Sequence, residues 1–320
     1  MGYLIGIDVG TTGTKAMLFS EKGACLKSAY RGYSLSTPHP GQVEQAAGDW
    51  WEAVCQTVRE VSNGCKEQVI ALSLSTQGGT LVCVDKEGAP LCPALVWNDS
   101  RCEKEAAAFA SQFGPEAMYK KTGWSLFPGM PAMQIRHIRD NQPDLFHKTA
   151  LFLTVPDFLS LKMTGKAVVD HSNAGINQLT DIRQGCYDMA ILDFIGIDEG
   201  RLPTLAPSGT VIGNLTEEAS VSLGLTPKTL LVSGAHDQYA VALGAGATHP
   251  GDILIGSGTA WVVTAIEEKP DFSGLSQSRS AISGLWGSLC SLSHGGVCLD
   301  WLRKHILGTP EAPVDYETLN

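Results

Sequence analysis

Two widely separated segments share one pattern, and that pattern most narrows what this chain can fold into. LIGIDVGTTGTKAMLF (Leu4–Phe19) and DILIGSGTAWVVTAI (Asp252–Ile266) each read as apolar strand, Gly/Ser/Thr turn, apolar strand. Each predicts an antiparallel hairpin with a polar, glycine-bearing tip. Met in duplicate, the pattern predicts two related domains whose hairpin turns face a common cleft. With 320 residues there is chain for two domains. After Ile266, however, too little follows to finish a second one. The expected division is therefore a first domain over residues 1–246 and the beginning of a second over 247–320.

Between the hairpins the pattern predicts an α/β domain. Tyr3–Val9, Thr14–Phe19 and Ala24–Tyr33 form an antiparallel meander, and Gly48–Ser62 has its apolar residues at helical spacing. Val69–Leu74 reads as a buried strand, and Leu81–Asp85 with Leu95–Trp97 reads as a hairpin. Helices are expected over Arg101–Phe113, Pro131–Asp140, Asp157–Met163, Thr216–Leu223 and Gln238–Gly246, and a strand over Leu230–Ser233. Residues 164–215 read as a mixed, turn-rich region.

The first hairpin also carries chemistry. Successive N–H groups in a Gly/Thr turn form a concave anion site, to which Thr hydroxyls and Lys15 add donors and charge. Asp8 at the strand tip is costly if buried alone, but serves well if it faces a hydrated Mg²⁺ bound to phosphate. The stretch thus fits a phosphate-binding hairpin, and it equally fits an ordinary turn with a solvated Asp. A P-loop is excluded because GxxxxGK[ST] is missing, and a strand rather than a helix follows the glycines.

Composition bounds the partners. A net charge of −10 argues against a nucleic-acid surface. No apolar run is long enough to span a membrane, and the start lacks a signal-peptide pattern. Nine scattered cysteines without a CxxC pair read as reduced thiols of a cytoplasmic protein. His39, His137, His147, His171, His249 and His305 show no ligand spacing.

These residues carry a family resemblance. DVGTTGTKAMLF resembles the first phosphate motif of the FGGY carbohydrate kinases, which include xylulokinase, gluconokinase and glycerol kinase. VEQAAGDWWEAV (Val43–Val54), ALVWNDSR (Ala94–Arg101), GAHDQYAVALGAG (Gly234–Gly246) and ILIGSGTAWV (Ile253–Val262) resemble later family segments, in the family's order. Two departures bear on substrate and phosphate contact. STQGGT (Ser75–Thr80) replaces both the Gln-Met-His-Gly element of xylulokinases and the Arg-Glu pair of glycerol kinases, and GSGTAW departs from the usual second phosphate motif.

The resemblance implies a ribonuclease H-like, actin/hexokinase-type ATPase fold with a mixed five-stranded sheet. It implies ATP-dependent phosphorylation of a ketose, polyol or related small carbohydrate, with ATP and Mg²⁺ and with a homodimer as a candidate assembly. Asp237 is then the general base, and Asp8 serves the metal. Gly10, Thr11, Thr12, Thr14, Lys15, Gly256, Ser257, Gly258 and Thr259 hold phosphate. Gln77, Gly78, Trp97, Asp99, Asp157 and Gln238 are the candidate sugar contacts. Blander readings stand beside several of these: Asp237 or Asp157 as a helix cap, Asp99 as a structural partner of Arg101, and Gln238 facing solvent. The opposing class is a non-catalytic sensor on the same ATPase fold, against which the presence of both Asp8 and Asp237 argues.

Overall fold

A computed structural model describes residues 2–257, 261–292 and 295–319. β1 (Tyr3–Val9), β2 (Gly13–Ser20) and β3 (Cys25–Gly32) form the expected meander. α1 (Ala47–Ser62) follows and leads to β4 (Val69–Thr76). Much later come α2 (Val155–Thr164), β5 (Val211–Asn214), β6 (Leu230–His236) and α3 (Asp237–Gly244). The sheet runs β5-β6-β4-β1-β2-β3. The expected five strands are joined by a sixth, because Val211–Asn214 pairs antiparallel on the outer edge of β6. β1, β4 and β6 are mutually parallel at the centre.

Alternation along β1 decides which face does what. Ile5, Ile7 and Val9 are buried against Trp50, Val54 and Val58 of α1 and Phe158 and Leu159 of α2. Trp50 and Phe158 meet edge to face, with ring centroids 6.3 Å apart. Leu4, Gly6 and Asp8 therefore point to the opposite face, where Leu4 is 40% exposed. Asp8 sits in a strand without entering the core.

The segment between β4 and β5 has its own core, built on Phe109, Met133, Ile135, Ile138, Ile191 and Leu192. Its helices lie close to expectation at Glu103–Phe113 and Pro131–Asn141. The expected hairpin of Leu81–Asp85 with Leu95–Trp97 shrinks to one bridge, Leu81 to Leu95. Val82–Val84 pairs instead with Leu151–Leu153, and Ala94–Leu95 with Glu44–Gln45. Both segments are buried on all sides, so period-2 spacing could not select their partners.

Downstream, β7 (Ile253–Ser257), β8 (Trp261–Glu267), β9 (Ser276–Arg279) and β10 (Trp286–Leu292) form a second, antiparallel sheet in the order β7-β8-β10-β9. It joins the first part through Tyr239, whose hydroxyl donates to the Gly287 carbonyl at 3.1 Å, and through Gln277 N–H to Gly123 O at 2.7 Å.

Asp157 explains itself here. It lies in the first turn of α2 as half of a capping box with Thr154, wholly buried. Burial pushes its carboxyl up to about 7, against the Thr154 hydrogen bonds that favour the ionised form. Between roughly pH 4 and pH 7 the folded chain holds a proton that the unfolded chain has released. Stability therefore falls as pH rises through that window, by at most about 1.4 kcal/mol per pH unit. Asp157→Asn is expected to flatten this slope, read as urea unfolding free energy from about pH 5 to about pH 8. A slope as steep as wild type would show that Asp157 is ionised in the core.

Candidate functional site

The three parallel strands end together, and the candidate residues collect at their carboxyl ends, where open α/β sheets bind ligands. Register aligns Asp8 with Ser75, and Val9 with Thr76 and His236. Asp237 follows at the first position of α3. β6 reaches this alignment through a bulge between Val232 and Ala235. Gly234 is required there, since a Cβ would stand 1.5 Å from the Leu74 carbonyl oxygen.

Asp8 accepts a hydrogen bond from Ser75 Oγ at 2.7 Å and faces Lys15 across the β1–β2 ladder. The walls around it dry the carboxyl, and this is the main reason it is held above the ordinary carboxylate range. The charge on Asp237 adds to the rise, while Ser75 and Lys15 oppose it. The two carboxylates thus feel each other, and Asp8 lines a groove of about 600 Å³ together with residues that include Gly6, Lys15, Phe19, Ser75 and Leu243. Hard oxygen donors of this kind fit Mg²⁺.

The turn between β1 and β2 is braced from behind. Gly10 N–H donates to Gly13 O at 3.0 Å. Tyr33, which the sequence reading passed over, donates its hydroxyl to Gly10 O at 2.7 Å and lies 3.3 Å from Thr14 Oγ1. Thr14 is fully buried in this contact, so it supports the turn and its hydroxyl is not open to a phosphate. Period 2 explains the correction: Thr14 shares the inner face with Ala16 and Leu18, while Lys15 faces outward. Thr12 is exposed at the tip. Thr11 is half-buried and linked to the neighbouring wall. Its Oγ1 donates to Gln77 Oε1 at 3.1 Å and accepts from Trp97 Nε1 at 3.2 Å. Gln45, also unforeseen, donates to Thr11 O at 3.0 Å and accepts from Trp50 Nε1 at 2.7 Å. No spacing in the sequence marks Gln45 or Tyr33, because both act through tertiary contact with a turn.

Gln77 is buried, with its amide spent on Thr11, Thr80, Gly10 and Gln45. It joins the phosphate turn to the β4 end. Trp97, 40% exposed, overhangs Thr11. Gly78 is buried against His236 and Ile176. Gln238 is half-buried beside Asp237.

Two candidate sugar contacts are corrected by their partners. Asp99 is 1% exposed and fully engaged: it takes Arg101 Nε and Nη2 and the Val43 N–H, while Arg101 also reaches Glu44 at 2.8 Å. This is the structural pair set out above as the alternative. Asp157 is consumed by its capping box. Asp237 has the opposite fate. The N-cap of α3 is His236, no side-chain cap bond forms, and Asp237 Oδ1 is sheltered without a hydrogen-bond partner.

Gly256 and Ser257 end β7 opposite Val262 and Trp261, in the same antiparallel arrangement as the first hairpin. Gly258 and Thr259 lie outside the described residues. Elsewhere, Cys102, Glu105 and His137 bring ligand atoms within 4.8 Å of one another where two helices meet. His137 Nδ1 lies 3.0 Å from Glu105 Oε1 there, a helix–helix contact that histidine spacing alone did not suggest.

Residues 3–244 match the N-terminal domain of the FGGY family of carbohydrate kinases. The chain belongs to that family. It is 28% identical over 304 residues to the gluconokinase of Bacillus subtilis (strain 168), covering 94% of this chain and 59% of that one. It is likewise 28% identical over 305 residues to the xylulose kinase of Klebsiella pneumoniae, covering 94% and 62%. Among solved structures, the xylulose kinase from Rhodospirillum rubrum superposes with a TM-score of 0.91 at 28% identity, over 97% of this chain and 64% of that chain. The chain thus spans about three fifths of the length of these FGGY relatives.

Tyr33→Phe removes the hydroxyl that holds the Gly10 carbonyl. The expected cost is about 1 kcal/mol of unfolding free energy, with faster amide exchange at residues 10–13 than in the rest of β1. Equal protection across turn and strand would show that Tyr33 does not brace the turn.

Proposed function

We propose that this chain forms the acceptor-binding wall and first phosphate hairpin of an ATP-dependent carbohydrate kinase. One observation carries the proposal: Asp237 Oδ1 is sheltered without a hydrogen-bond partner among the described residues, at the end of the parallel strands and within electrostatic reach of Asp8. Other aspartates nearby are spent on caps and ion pairs.

In this reading the γ-phosphoryl group lies by the Gly10–Thr12 turn, where the N–H groups of Thr11 and Thr12 and the charge on Lys15 receive it, the Gly10 N–H being held by Gly13 O. Asp237 takes the proton of the attacking sugar hydroxyl as its oxygen bonds to phosphorus, and ADP leaves along the same line. Mg²⁺, when bound, neutralises charge on the phosphate oxygens, and Asp8 is the residue that would hold it. Ser75 fixes the direction of the Asp8 carboxylate before nucleotide arrives, and the charge on Lys15 favours its ionised form. Most of the rate enhancement comes from positioning and electrostatics. Residues 247–320 open the second domain, whose β7–β8 hairpin supplies Gly256 and Ser257 to the other side of the cleft.

The acceptor is a small polyhydroxylated molecule, a ketose, polyol or sugar acid. Gluconokinases and xylulose kinases stand at equal identity to this chain, which supports the class and leaves the member open. Among the described residues no helix is long and apolar enough to cross a membrane. Nine free cysteines support a cytoplasmic setting.

In the intact protein, Asp237→Asn is expected to lower turnover at least ~10²-fold while sugar affinity stays within a few-fold. Coupled ADP detection reads the first and calorimetric titration the second. Turnover near wild type would remove Asp237 from the mechanism and favour the non-catalytic sensor. Asp8→Ala is expected to reduce Mg·ATP-dependent turnover strongly, with unfolding free energy unchanged or slightly raised, because it exposes no core. An unfolded Asp8→Ala whose folded fraction turns over normally would make Asp8 a turn residue only.

A further inference from the structure

His236 ends β6 immediately before Asp237. The residue is 7% exposed. Its Nε2 lies 3.3 Å from Asp237 Oδ1, while its Nδ1 is sheltered without a partner. An imidazolium in this place would bury an N–H donor at Nδ1 with nothing to receive it, which is costly. The neutral ring with its proton on Nε2 leaves only an unused acceptor at Nδ1 and keeps its single donor beside Oδ1. Oδ1 has no hydrogen-bond partner among the described residues, so at 3.3 Å the two atoms are neighbours not aligned as a hydrogen bond, as catalytic contacts often are before substrates bind.

Three further contacts hold the ring there. The His236 backbone N–H donates to Ser172 Oγ at 2.9 Å. Ser172 is itself hydrogen-bonded to Asp170, 2% exposed, which caps the helix His171–Ile176. On the other side the ring occupies space that exists because residue 78 is glycine. A Cβ at Gly78 would stand 2.7 Å from His236 Cδ2 and 3.1 Å from Nε2. Gly78 does not have the positive φ that would demand glycine for its backbone, so its neighbours demand it: the ring on one side and Ile176 Cγ2, 2.9 Å from such a Cβ, on the other.

We propose that His236 is a positioning residue for Asp237: when the acceptor binds, its Nε2–H aligns on Oδ1 and turns the other carboxylate oxygen toward the acceptor hydroxyl, and the glycine at 78 leaves room for the ring. This rests on the reading of Asp237 as the base. It gives Gly78, a candidate sugar contact by resemblance, a different task. The imidazole touches neither acceptor nor nucleotide, so its loss acts on the chemical step and leaves binding alone.

The test is steady-state kinetics of the intact protein, with Asp237→Asn as reference. His236→Leu is expected to lower kcat about 10- to 100-fold, the scale of a misplaced catalytic group, with KM for acceptor and ATP within a few-fold. His236→Gln keeps an N–H donor at the reach of Nε2 and is expected to recover most of the lost kcat. Gly78→Ala, which leaves every titratable group in place, is expected to reproduce the His236→Leu defect. It also carries the test if His236→Leu does not fold. If His236→Leu and Gly78→Ala keep wild-type kcat while Asp237→Asn is inactive, the base stands and the positioning role falls. If His236→Gln is as impaired as His236→Leu, packing explains the residue and the proposal is overturned. If acceptor KM rises at unchanged kcat, His236 contacts the acceptor instead. If Asp237→Asn itself turns over normally, the underlying reading has failed.

Discussion

Parallel pairing of β1, β4 and β6 is the constraint on which the site depends. Their register aligns Asp8 with Ser75 and brings His236 level with Thr76, so that Asp237 emerges one residue beyond. A slip of one residue in β1 would carry Asp8 into the face now filled by Ile5, Ile7 and Val9. Hydrophobic burial against α1 and α2 thus sets the register, and the register places the carboxylates. The bulge in β6 makes the final adjustment. Gly234 permits it, because any side chain there would collide with the Leu74 carbonyl.

Four aspartates show how environment separates roles that residue type leaves equal. Asp99 is saturated by Arg101 and the Val43 N–H. Asp157 is saturated by Thr154 and raised by burial. Asp8 keeps one bond, to Ser75, and opens on the groove. Asp237 Oδ1 makes no hydrogen bond. An unpaired carboxylate oxygen in a sheltered place is expensive, and a second carboxylate within electrostatic reach adds to the cost. A fold that keeps such a pair is arranged for incoming charge of the opposite sign.

Much of the frame was legible in sequence because it rests on local signals. The strand Tyr3–Val9, the helix following Gly48 and the Thr216 cap of the helix Glu217–Leu223 carry period and capping residues that need no tertiary context. The phosphate-turn reading of Gly10–Thr12 rested on residue types that remain open at the tip. What sequence could not show was pairing between distant segments. Val82–Val84 found Leu151–Leu153, and Val211–Asn214 found the edge of β6, through contacts that no local period encodes. Thr14, a phosphate ligand by its motif, faces inward because strand alternation outranks motif membership. Tyr33 braces the turn from outside the motif stretches, and Gln45 and Ser75 brace the site from within stretches whose residue types alone do not mark that role.

The central claim is that the carboxyl ends of β1, β4 and β6 are where an acceptor hydroxyl meets the terminal phosphate. A crystal structure of the intact protein with its acceptor and a non-hydrolysable ATP analogue tests it most directly. The account predicts phosphate oxygens on the N–H groups of residues 11 and 12 and an acceptor hydroxyl within about 3.2 Å of Asp237. Phosphates bound away from that turn, or an acceptor beyond the reach of Asp237, would contradict it.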